Sequence, residues 1–134
     1  MALPDEGRRS ETVLAPGELL LGLRLPPHPP ETRSVYLKAM DRAAFSFALA
    51  GVAAVLRLSH GKVAHARLVL TGVGPVPWRV PQAEAALVGE SADEERFAAA
   101  ARAALQGARP LRHNGYKVPL LEALLKRAVR SLAR

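Results

Sequence analysis

Residues 45–70 read FSFALAGVAAVLRLSHGKVAHARLVL, and the way this stretch folds decides the architecture. Its first half is ambiguous. The alanines permit a helix, whereas Phe45, Phe47, Leu49 and Val55 alternating with small residues permit a long strand over Phe45–Leu58. The four residues Ser59-His60-Gly61-Lys62 decide between them. Glycine enters positive φ freely, and histidine does so more readily than most residues, so this is a tight-turn signal. Beyond it the chain alternates again, with Ala64, Ala66, Leu68 and Leu70 on one face and Lys62, His65 and Arg67 at the polar edge. Two alternating arms around a short glycine turn predict a hairpin.

Toward the N-terminus, Ser34–Met40 predicts another strand, with Val35, Leu37 and Ala39 on one face and Tyr36, Lys38 and Met40 on the other. Glu18–Leu25 predicts a further one. There Leu19, Leu21, Leu23 and Leu25 share a face, opposite Glu18, Leu20, Gly22 and Arg24. The run PPHPP (26–30) stops it, because proline donates nothing to a ladder. Residues 1–16 are expected to be an extended arm or the remnant of a linker, and 17–134 one domain.

Toward the C-terminus, TGVGPVP (71–77) breaks regular structure. Gly72-Val73-Gly74 leads into Pro75 rather than a helix that could cradle a pyrophosphate, so it reads as a turn. Pro81 opens a short helix through Leu87, with Gly89 as its C-terminal cap. Ser91-Ala92-Asp93-Glu94 has the pattern of a capping box. The helix behind it is expected to bury Phe97, Ala100, Ala101, Ala104 and Leu105 and to end at Gly107. A last helix begins at about Val118 or Pro119. Leu121, Leu124, Leu125, Ala128, Val129 and Leu132 form its apolar stripe, opposite Lys126, Arg127, Arg130 and Arg134. Strands first and helices afterwards predict an α+β fold: an antiparallel sheet followed by about three helices packed on one face.

Composition narrows the chemistry. The chain has 134 residues, enough for one domain, and 49% of them are hydrophobic, enough for one core. It contains no cysteine, which excludes disulfides, iron–sulfur ligation and thiol catalysis by its own residues. His28, His60, His65 and His113 have no metal-ligand spacing, so no metal site is expected. The polar N-terminus does not read as a signal or transit sequence, and no apolar run is long enough to span a bilayer. A soluble cytoplasmic protein with no membrane partner is therefore expected. The net charge of +7 would suit nucleic acid, but the charge is dispersed and aromatic residues make up only 4% of the chain. A solvated basic surface, or one docked on an acidic partner, explains it better.

No nucleophile–base pair, P-loop or dinucleotide fingerprint is present. The most suggestive polar group is Lys38, with Asp41 and Arg42 just after it. A lysine projecting from a strand among apolar neighbours needs a partner, which could be a ring carbonyl or a phosphate. The competing reading is a strand-end lysine that reaches solvent. Trp78-Arg79 is a second candidate, for which a surface tryptophan beside a helix start is the plainer reading.

Four segments carry a family resemblance: ETVLAPGELLLGLRLP (11–26), VYLKAMDRAAFSFALAGVAAVL (35–56), TGVGPVPWRVPQAEAALVGE (71–90) and ARPLRHNGYKVPLLEALLKRAVRSLA (108–133). In this order they resemble the C-terminal domain of the FAD-binding (medium) subunit of molybdenum hydroxylases, the group of xanthine and carbon monoxide dehydrogenases. The resemblance implies an α+β fold and a non-catalytic module on the flavin side of an oxidoreductase. It implies FAD held jointly with a separate FAD-binding domain or subunit, alongside molybdopterin and iron–sulfur subunits. Lys38 would correspond to the lysine that reaches the flavin, Arg42 to an arginine beside the ring, and Asp41 lies between them. Gly74 and Met40 depart from the residues common in the family. The family's N-terminal FAD domain, with its pyrophosphate loops, does not resemble any part of this chain. Two alternatives remain open from sequence: a stand-alone interaction or scaffold domain that has lost the flavin role, and a basic nucleic-acid-binding domain. A homo-oligomer is compatible with either.

Overall fold

The protein is described from a computed structural model covering residues 12–134. Four strands form one antiparallel sheet in the order β1 (Thr32–Ala39), β2 (Ala50–Ser59), β3 (Lys62–Thr71) and β4 (Trp78–Arg79). Three helices follow: α1 (Pro81–Ala85), α2 (Glu94–Ala104) and α3 (Lys117–Leu132). The α+β order is the expected one. The hairpin also turns where expected, with His60 at φ 51° and Gly61 at φ 74° and Ser59 paired with Lys62. Two consecutive residues at positive φ give a turn whose twist matches that of the flanking strands.

The core lies between the sheet and the helices. β2 contributes Ala50, Val52, Ala54 and Leu56, and β3 contributes Val63, Ala66, Leu68 and Leu70. Helix α2 adds Phe97, Ala100, Ala101 and Ala104; α3 adds Leu121, Leu125, Ala128, Val129 and Leu132. Two strand readings are corrected here. The β2 face that turns inward is the even-numbered one, not the face of Phe45, Phe47, Leu49 and Val55. Small Ala50 and Ala54 let α3 lie close across β2, and β2 begins only at Ala50. In β3, Val63 takes the place expected for Ala64. Arg57 pairs with His65 but Leu58 with Val63, so Ala64 is the extra residue of a β-bulge and the side-chain parity flips there.

Glu18–Leu25 is not a strand. It joins no sheet among the described residues, and Leu19, Leu21, Leu23 and Leu25 are all exposed. Alternation records a side that needs covering; it cannot say that the cover lies in the same chain. The expected arm over residues 1–16 falls mostly outside the described residues.

The helix caps show the same mixture. Gly89 and Gly107 take positive φ, but beyond the helix ends: α1 stops at Ala85 rather than Leu87 and is capped by Ala86, and α2 is capped by Leu105. The capping box does not form. Asp93, not Ser91, caps α2 and accepts from the Arg96 amide at 3.0 Å, while the Ser91 hydroxyl donates to Asp93. Ser91 is paired with Lys62 in a β-bridge, which delays the helix start. Freed from the box, Glu94 reaches across to Arg130 of α3. The α3 stripe is as read except that Leu124 sits at its half-buried edge.

One buried carboxylate ties α1 to the sheet. Glu84 is only 4% exposed. It accepts from the Leu68 amide at 3.0 Å and from Arg79 at 3.0 and 2.7 Å, with Arg67 at 3.4 Å. The Arg79 guanidinium is the main reason its carboxyl lies below the ordinary glutamate range, against the opposing effect of burial; the Leu68 amide assists. A depressed carboxyl stabilises the fold fully above the unfolded value and loses that contribution as pH falls through the folded value. Glu84→Gln is therefore expected to cost roughly 1–3 kcal/mol at neutral pH. Its stability should also fall less than the parent's on acidification through the carboxylate range. Denaturant titrations across that range check this, and parallel pH profiles would contradict it.

Candidate functional site

Lys38 stands near the end of β1, on the sheet face away from the helices. Register places it opposite Gly51 of β2, and Gly51 opposite Thr71 of β3. The absence of a side chain at Gly51 is required. A Cβ there would lie 2.4 Å from Thr71 Oγ1 and 2.9 Å from the Tyr36 hydroxyl. Tyr36 and Thr71 meet over this gap, with their oxygens 3.2 Å apart. The three strands are thus clasped beside the lysine.

The loop 40–49 joins β1 to β2 and leans over the same place. Its ends are closed by the Leu49 amide donating to the Ala39 carbonyl at 2.9 Å. Lys38 Nζ donates to the Ser46 carbonyl at 3.3 Å, and Arg42 donates to the Phe45 carbonyl at 2.6 Å. Both cations therefore brace the loop that follows them. Phe45 sits at φ 51°, an uncommon conformation for an aromatic residue, and such strain collects at functional sites. Phe45 and Phe47 are each 98% exposed. Both lie ahead of β2, although the sequence predicts a strand over the whole of Phe45–Leu58.

Gly72 locks the loop to β3. Its φ is 73°, and a Cβ on it would come within 3.0 Å of the Leu49 carbonyl and 3.1 Å of the Ala48 carbonyl. Its own carbonyl accepts from Lys117 Nζ at 2.7 Å, which brings the start of α3 to the same corner. The reading of Gly72-Val73-Gly74 as a turn was correct but missed this close approach. A glycine pair before proline carries no signal of what it packs against.

The result is an open groove of about 430 Å³ lined by Tyr36, Lys38, Ser46, Phe47, Ala48, Thr71 and Gly72. No acidic residue lines it. Asp41 and Arg42 lie on the adjoining loop, exposed, and outside this lining. A cation, an aromatic wall and exposed backbone can take one side of a flat, electron-poor ring, and the groove is too open to enclose a ligand alone. A second cleft, of about 580 Å³, lies on the other side of Gly72, with Trp78, Arg109, Asn114 and Lys117 in its walls. Trp78 is half exposed there, while Arg79 is spent on Glu84. Among the described residues no group of three His, Asp or Glu side chains could hold a metal, and no helix is long and apolar enough to cross a membrane.

The chain is similar to known proteins in sequence and in fold. The carbon monoxide dehydrogenase medium chain of Hydrogenophaga pseudoflava is 33% identical over 122 residues, covering 88% of this chain and 42% of its own length. The aldehyde oxidoreductase FAD-binding subunit PaoB of Escherichia coli (strain K12) is 39% identical over 84 residues, covering 63% of this chain and 25% of its own. Among solved structures, carbon monoxide dehydrogenase from Hydrogenophaga pseudoflava superposes with a TM-score of 0.75 at 34% identity, covering 81% of this chain and 39% of the other. Quinoline 2-oxidoreductase from Pseudomonas putida 86 gives 0.69 at 27%, covering 78% and 38%. The chain spans less than half the length of these relatives. Residues 35–132, from the strand that carries Lys38 to the end of α3, match one family along their whole extent, and the chain belongs to it: the CO dehydrogenase flavoprotein C-terminal domain family.

Proposed function

We propose that this chain is the flavin-side module of a molybdenum-hydroxylase-type oxidoreductase. It packs against a separate FAD-binding domain and works beside molybdopterin and iron–sulfur subunits. The observation that carries the reading is the acid-free groove in which Lys38 stands beside Phe47 and Tyr36. Lys38 keeps two ammonium protons beyond the one given to Ser46. They suit the carbonyl-bearing end of a flavin ring. Arg42 and Asp41, just outside the groove, would meet the ring's margin or the partner domain. Flavin when bound supplies the electron transfer; this chain supplies a wall, a positive charge and the exclusion of water from one side of the ring. Among the described residues no glycine-rich loop runs from a strand into a helix, which supports a pyrophosphate held by the partner.

A scaffold role without flavin contact is the second reading, favoured by one observation: Arg42 is turned onto its own loop. The two readings separate in solution. The isolated chain is expected to purify colourless. Added to an FAD-loaded fragment of the Hydrogenophaga pseudoflava medium chain, the part outside its match to this chain, it is expected to shield the flavin from iodide quenching. Binding with quenching unchanged would leave the scaffold reading in its place.

A further inference from the structure

We infer that the cleft on the other side of Gly72 from the Lys38 groove binds a small aromatic anion, a flat ring that carries a carboxylate or a phosphate. Its volume of about 580 Å³ falls within the range of small-molecule sites, about 300–1,000 Å³. Part of its wall is the indole of Trp78, which is 47% exposed. Gly74 keeps the space beside that ring open. A Cβ built on Gly74 would stand 3.8 Å from Trp78 Cε3, in ordinary contact, and a longer side chain would fill the cleft. With glycine there, a second ring has room to lie against the indole in an offset stack. The polar part of the wall brings in Arg109, Lys117, Gln82 and Asn114, and no acidic residue lines the cleft.

The two cations are differently engaged. The Arg109 side chain makes no hydrogen bond or ion pair among the described residues. Lys117 gives one proton to the Gly72 carbonyl at 2.7 Å and keeps two. A guanidinium that has no carboxylate partner, in a cleft without an acid, suits the paired oxygens of a carboxylate or a phosphate. The backbone holds it in place. Gly107 turns the chain at φ 77°, the Ala108 amide donates to the Leu105 carbonyl at 3.1 Å, and Pro110 disfavours helical backbone at Arg109. Asn114 closes the same loop. Its Oδ1 accepts from the Leu111 amide at 2.6 Å, which leaves its NH2 group for an occupant. A loop fixed before binding loses little freedom on binding. The cleft shares only Gly72 with the lining of the Lys38 groove, so the inference stands apart from the flavin reading.

The test uses the full chain, with naphthoate and naphthyl phosphate as probes. Naphthol supplies the ring without an anion at neutral pH, and inorganic phosphate supplies the anion without a ring. Trp78 is the only tryptophan, so its indole N–H gives a single NMR signal that reports on the cleft. At least one anionic probe should bind by calorimetry and shift that signal, and the tighter of the two identifies the head group. Arg109→Ala and Gly74→Leu should each weaken binding by more than about tenfold, with melting little changed, since Gly74 is not at positive φ. Arg127→Ala, which removes an exposed cation of α3 outside the cleft, should leave binding unchanged. No binding of either probe, equal binding of naphthol or of phosphate alone, an unmoved indole signal, or equal losses from Arg109→Ala and Arg127→Ala would each overturn the proposal. So would loss of probe binding in the complex with the FAD-loaded fragment, since the cleft would then belong to an interface with the partner. Probe binding that survives in that complex supports the site whether or not the flavin is shielded from iodide.

Discussion

Leu125→Asp is expected to remove most of the protein's stability, about 5 kcal/mol, and to leave much of the chain unfolded at ordinary temperatures. Leu125 is fully buried in the middle of the α3 stripe, against α2 and β2. The substitution deletes its packing and places a carboxylate where no cation can reach it. Leu124→Asp, one position away, is a sharp control. Leu124 is half buried, so its carboxylate can turn to water, and a loss of roughly 1–2 kcal/mol is expected. Arg130→Ala gives up the ion pair with Glu94, but both groups are exposed and the change should be close to neutral. Thermal melts of the three variants rank these effects. A Leu124 variant as damaged as the Leu125 variant would mean that the helix phase is wrong.

Gly72→Val should have the second largest effect, and it reaches the site. A β-branched residue at φ 73° is strained wherever it lies, and here its Cβ would press on two backbone carbonyls of the loop 40–49. Neither carbonyl is the end of a flexible side chain, so the loop itself must move. A loss of about 2–4 kcal/mol is expected, together with displacement of the segment carrying Ser46 and Phe47. Melting and amide exchange at residues 42–48 check both parts. An unchanged loop in a variant of parental stability would show that Gly72 does not lock the corner.

Much of the fold was legible because local chemistry and tertiary structure agree. His60-Gly61 fixes the hairpin turn, Gly107 takes positive φ just beyond α2, and the α3 stripe has one consistent face. What was misread shares a cause. Phe45, Phe47 and the leucines of 18–25 stand out as hydrophobic in their segments, and their alternation was read as strand. In the folded chain they are exposed, while alanines at 50 and 54 and the residue across the bulge, Val63, form the core. Hydrophobicity marks surface that is to be covered, whether by the same chain or by another. The candidate site was legible only at Lys38. Tyr36 and Thr71 meet because Gly51 pairs with both of their strands in one register, and spacing in the sequence does not reveal such a row.

Lys38 is proposed to face a flavin held by a partner, and the flavin's midpoint potential in the reconstituted complex would report on that contact. A cation held in a partly dry site favours the negative charge that arrives with electrons more strongly than it would in water. Lys38→Met keeps the aliphatic stem and removes the charge. The potential should fall and electron arrival should slow, with stability little changed. Lys38→Arg should restore only part of the potential, since a guanidinium differs in shape and hydration. A potential identical in the parent, Met and Arg complexes would contradict the account and leave Lys38 as no more than a brace for its loop.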